Sequence, residues 1–170
     1  MRRLNGQKGV GLVEVLVALL LLSVAMLGFS AMQLSAVKAT DESLMRTRSM
    51  SIIKSLSESM RILPNSSSIY RQQLNDLYKS SIISNDKDIV ESYCEKAKTY
   101  SQAVQNCNSS ECDTQQTVRY NVAVAIEAGC EKDIALNIEV CPNTNGTNER
   151  QCIIASWNQT KPTMIDEENS

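Results

Sequence analysis

Lys8-Gly9-Val10-Gly11-Leu12-Val13-Glu14-Val15, continuing into Leu16–Phe29, is the stretch on which the reading of this chain turns. Arg2, Arg3 and Lys8 place positive charge ahead of it. From Val10 to Phe29, twenty residues are apolar or small apart from Glu14 and Ser23. A helix of that length rises about 30 Å, enough to cross the hydrocarbon layer of a bilayer. The basic flank is expected to stay in the cytoplasm, which sends the rest of the chain outside.

Three readings fit this pattern. An uncleaved membrane anchor needs only the apolar run. A secretory signal peptide needs small residues at a cut beyond the run, and Gly28-Phe29-Ser30 is the nearest such site. The third reading accounts for Glu14. A carboxylate this far inside an apolar helix costs about 3 kcal/mol on insertion scales. A cut after Gly9 would leave a new α-amine on Val10. Glu14 of one subunit could then pair with the amine of its neighbour.

These residues resemble a type IV prepilin signal: a short basic leader ending at Gly9, a cut before the apolar helix, and a glutamate, Glu14, at the fifth mature position. Val10 stands where Phe or Met is commoner and keeps the new N-terminus apolar. The resemblance implies cleavage on the cytoplasmic face by the prepilin peptidase, which also methylates the amine of Val10. It divides the chain into a leader at 1–9, a membrane-spanning and fibre-core half of a long helix at 10–37, and an exported head at 38–170 that includes the amphipathic second half of the helix.

With 170 residues, the chain has room for one modest domain beyond the leader and the span. The formal charge of −2 becomes more acidic once Arg2, Arg3 and Lys8 leave with the leader. A nucleic-acid-binding face would be basic, so no nucleic acid partner is expected. The absence of histidine removes His-based acid–base chemistry, His metal ligands and every His-containing triad. Ser49, Ser51, Ser55, Ser57 and Ser59 lie on one helical stretch and are most simply solvated. The expectation is therefore neither an enzyme nor a cofactor protein. Cys94, Cys107, Cys112, Cys130, Cys141 and Cys152 all fall on the exported side. An even count in an oxidising compartment points to disulfides, and no C-x-x-C suggests zinc.

Val10 to about Leu63 reads as one very long helix, free of proline until Pro64. Its second half turns amphipathic, with Met45, Ile52, Ile53, Leu56, Met60 and Leu63 recurring at steps of three and four, or close to them. Gly28 and Ser30 mark a soft point. Ile69–Lys79 and Val90–Val104 read as short helices joined by the polar stretch Ser80–Asp88. Thr114–Ala128 fits a helical face through Val118, Val122 and Ile126, and fits a strand equally well. The capping pattern from Ser110 to Asp113 favours helix, with Gly129 just past its end. Ile134, Leu136, Ile138 and Val140 alternate with Ala135, Asn137 and Glu139, a half-buried strand that pairs with a return strand at Cys152–Trp157. Cys141 and Cys152 close the two ends of the intervening loop and are the best disulfide candidate; Cys94, Cys107, Cys112 and Cys130 pair in an order left open. The tail Asp166–Ser170 is expected to be disordered. The fold class expected is α+β and pilin-like, a long N-terminal helix packed on a small antiparallel sheet with extra short helices.

Within the pilins, the anchor Gly11–Leu20 resembles minor pilins of the PilV kind, as do Cys107–Asn121 and the ending Ile153–Asn158, with Asn121 where Asp is usual. That resemblance implies a minor subunit of the type IV pilus, helping to start assembly in a tip or priming complex. Its partners would be other minor pilins, the major pilin, the prepilin peptidase and the inner-membrane assembly platform. It would sit in the bacterial inner membrane before assembly, head in the periplasm, and then in the pilus at the cell surface. A minor pseudopilin of a type II secretion system shares the signal, the long helix and Glu14, and is the alternative.

Overall fold

The computed structural model describes residues 11–82, 88–144, 146 and 149–164. The chain divides into two compact units, one ending at Leu44 and the other beginning at Met45. Helix α1, Leu12–Ile62, supplies the described part of the first and the opening of the second. Strong helix formers and the lack of proline let it propagate over 51 residues. It passes through Gly28 and Ser30 without interruption, and Ser30 Oγ donates to the Met26 carbonyl at 2.9 Å. Pro64 ends it and opens a single 3-10 turn, Pro64–Ser66.

The second unit continues with α2 (Ser67–Ser81), α3 (Ile89–Gln102), α4 (Thr114–Cys130), β1 (Ile134–Val140) and β2 (Gln151–Trp157). This is the expected α+β architecture. Leu56 of α1 joins Tyr70 and Leu74 of α2, Tyr93 of α3, Val118, Val122 and Ile126 of α4, and Leu136 and Ile138 of β1 in one core. Met45, Ile52, Met60 and Leu63 pack against its margin, so the apolar stripe of α1 marks the face that is buried.

The segment open to helix or strand is α4. Its cap lies three residues later than the Ser110 pattern places it. Asp113 Oδ1 accepts from the Gln116 backbone at 2.7 Å, and Gln116 Oε1 accepts from the Asp113 backbone at 2.9 Å, a reciprocal capping box. Ser110 is occupied in the preceding loop, donating to the Asn106 carbonyl at 2.7 Å. Gly129 also differs from expectation. It sits inside the last turn of α4, because the chain doubles back there: a Cβ on Gly129 would lie 2.7 Å from the Ile134 carbonyl oxygen. The left-handed residue of the turn is Asp133, at φ 55°.

β1 and β2 pair antiparallel, with Ile134 opposite Trp157 and Val140 opposite Gln151. Alternation in β1 predicts one wet face, yet all of Ile134–Ile138 is buried. The reason is the chain beyond β2, which returns over the far face. Asn137 Nδ2 donates to the buried Pro162 carbonyl at 3.1 Å, and the Met164 backbone donates to Glu139 Oε2 at 3.0 Å. Of the polar connection expected at 80–88, Ser80 and Ser81 finish α2 and residues 83–87 lie outside the described residues, as do 145, 147, 148 and the tail 166–170.

Gly129→Ala gains about 1 kcal/mol in helix propensity but meets backbone, and overpacking costs about 1–3 kcal/mol. A lower thermal midpoint for this variant, measured on the full-length protein in detergent, is the expected outcome.

Candidate functional site

Glu14 lies in the first turn of α1, its backbone N–H bonded to the Gly11 carbonyl at 2.9 Å. Gly9 and Val10 lie outside the described residues. Between Leu12 and Thr40, Glu14 is the sole carboxylate. The surrounding surface is apolar and bare: Leu12 is 77% exposed, Leu20 67% and Leu27 72%. This part of α1 is long and apolar enough to cross a membrane, and none of its most apolar window is buried. Chemically the segment offers one negative charge on an apolar rod. That arrangement is unstable in water and demands lipid or other apolar helices, together with a cationic or proton-donating partner for the carboxylate.

The head is braced by three disulfides. Cys94–Cys130 staples α3 to the end of α4, Cys107–Cys112 closes the loop before α4, and Cys141–Cys152 closes the hairpin. Cross-links of this kind contribute about 2–4 kcal/mol each, chiefly by restricting the unfolded chain. Buried tyrosines extend the bracing. Tyr93 OH donates to the Leu136 carbonyl at 2.8 Å, and burial pushes its phenol well above the ordinary range despite that bond. Asn121 Nδ2 donates to Tyr70 OH at 2.8 Å, and burial raises this phenol too. Arg119 stands over the Tyr100 ring, 5.9 Å from its centroid.

A cleft of about 810 Å³ runs beside Cys94–Cys130. Asp88, Glu91, Glu95, Glu127, Glu131 and Asp133 make it acidic, with Lys98 the one base on its wall among the described residues. Among the described residues its lining includes no serine, threonine or free thiol. Among the described residues no cluster of His, Cys, Asp and Glu is arranged to hold a metal ion.

Sequence reasoning placed Tyr93 within the helix read over Val90–Val104 but not its bond, and missed Asn75, whose Nδ2 donates to the Ile138 carbonyl at 2.6 Å. Both reach the edge of β1 from helices far away in sequence. The available signal was a tyrosine on an apolar stripe, since a buried hydroxyl requires a partner.

A model of the prokaryotic N-terminal methylation motif matches residues 4–30, a span that includes Gly9, Val10 and Glu14. A model described as type IV pilin Tt1218 matches residues 31–123. Comparison with curated proteins and with solved structures gave no match. A family match over more than half of the chain, continuous with the methylation motif and carried by a long apolar helix and a small α+β head, establishes that the chain belongs to the Tt1218-like family of type IV pilins.

Proposed function

We propose that this pilin is a minor subunit of the PilV kind, which helps to start pilus assembly as part of a minor-pilin tip or priming complex. In this reading residues 1–9 are the leader, removed by the prepilin peptidase. Val10 carries the methylated amine, residues 10–37 span the inner membrane and later line the fibre core, and 38–170 form the periplasmic head. Other minor pilins, the major pilin and the assembly platform are its partners.

The observation that carries the proposal is the bare apolar half of α1 with its single carboxylate at Glu14. Moving such a helix out of lipid is offset when its side chains pack on other helices. Glu14 is then accommodated only if a positive group meets it. The N-terminal amine of a neighbouring subunit, released by cutting after Gly9, would supply that group. The PilV assignment draws on Cys107–Asn121, whose two ends are tied together. Asn108 Nδ2, inside the Cys107–Cys112 loop, donates to Tyr120 OH at 2.6 Å, and Asn121 bonds Tyr70. The head has the character of an interaction surface; the pilin family to which it belongs is built of structural subunits.

Deleting the gene and counting surface pili tests the role. A marked loss of pili, restored by the wild-type chain, is expected. Normal piliation with impaired protein secretion would instead support the pseudopilin alternative. Glu14→Gln should be processed normally yet recovered from sheared pili at a small fraction of the wild-type level, because it cannot ion-pair with the amine. Gly9→Ala should be cleaved far better than Gly9→Leu, a contrast read from the ratio of precursor to mature chain on immunoblots.

A further inference from the structure

We infer that the outer edge of β2 is a docking strand, which pairs through its backbone with an extended edge strand from the head of a different pilin subunit. The inference rests on the assembly role above.

The sheet has two strands and therefore two edges. The register fixes which backbone groups face each one. Cys141 N–H bonds the Arg150 carbonyl at 2.8 Å, so in the pairing that follows, the odd-numbered residues of β1 bond the even-numbered residues of β2. The even residues of β1 and the odd residues of β2 point outward. On β1 that outward edge is closed: Tyr93 occupies the Leu136 carbonyl and Asn75 occupies the Ile138 carbonyl. On β2 the outward groups belong to Gln151, Ile153 and Ala155, and among the described residues no backbone hydrogen bond beyond the strand pair involves them. The sheet can therefore grow in one direction only.

Protein edges are ordinarily guarded by charge, proline or a bulge. From Gln151 to Trp157 there is no charged residue and no proline, and the pairing runs without a bulge over all seven residues. Ile153 and Ala155 remain partly exposed, apolar surface that a third strand would cover. The Cys141–Cys152 disulfide holds the hairpin in place, which lowers the ordering cost of pairing. These features define the occupant. A neutral, extended segment fits, since β2 offers no charge to select a charged one. Membership in a pilin family supplies it, as another head brought alongside during assembly.

The test uses full-length protein and one well-placed substitution. Ala155→Pro removes an outward N–H without breaking a ladder bond and adds only a small ring; Ala155→Val keeps the N–H and adds comparable volume. Intact mass checks that each variant retains its disulfides. Wild type and Ala155→Val should enter sheared pili equally, and Ala155→Pro should fall by about tenfold or more, the loss expected from some 1.4 kcal/mol of docking energy. In isolated pili the amides of Ile153 and Ala155 should exchange with deuterium at least about tenfold more slowly than in the detergent-solubilised subunit. Normal incorporation of oxidised Ala155→Pro, or fast exchange of those amides in pili, would overturn the inference. So would a wild-type homodimer in detergent that Ala155→Pro abolishes, because it assigns the edge to a second copy. Failure of wild type itself to enter pili would refute the assembly role on which the inference rests.

Discussion

An apolar helix that nothing covers dominates the energetics of this pilin. Leucine, valine and methionine side chains along the first half of α1 stand mostly bare. At about 25 cal/mol per Å² such a surface cannot remain in water. Lipid satisfies it first and other helices can satisfy it later, so the subunit is built to exchange one apolar environment for another. Glu14 sharpens the constraint. In the proposed assembly role its carboxylate opposes burial in lipid and favours a site that supplies a positive group, which would give the exchange a direction.

The second half of α1 has a different solution within the chain. Leu56 completes a core made by α2, α3, α4 and β1, and its neighbours at steps of four pack on the margin. One continuous helix thus changes from uniformly apolar to amphipathic, and only its amphipathic portion is folded into the head. A two-stranded sheet alone is marginal in water. Here it is held by helices on one face, the Pro162 segment on the other, and disulfides at the hairpin and between α3 and α4.

Local pattern made much of this legible in the sequence. The proline-free run to Pro64, the three- and four-residue stripe, and alternation in Ile134–Val140 each report on a single element, and each element formed. The cap of α4 fell at Asp113 because Gln116 completes a reciprocal pair, whereas Ser110 was engaged by Asn106. Burial of both faces of β1 was hidden, since it depends on a segment returning from beyond β2. Gly129 read as a terminator, but its lack of a side chain serves a close approach to Ile134. The cap and Gly129 turned on local geometry that several residues could satisfy, whereas the burial of β1 came from a long-range contact that leaves no periodic trace. In the apolar half of α1, Glu14 stood out as a charge in an apolar run, while the plugging of the β1 edge by Tyr93 and Asn75 left no such sign.

Intact mass and N-terminal analysis of the membrane-extracted protein test the central claim most directly. The account predicts a chain beginning at N-methylated Val10 and six hydrogens lighter than its all-thiol form, matching the disulfides Cys94–Cys130, Cys107–Cys112 and Cys141–Cys152. A chain still carrying Met1 would contradict it and leave a plain membrane anchor, and one beginning near Ala31 would make the protein secreted and free of the membrane.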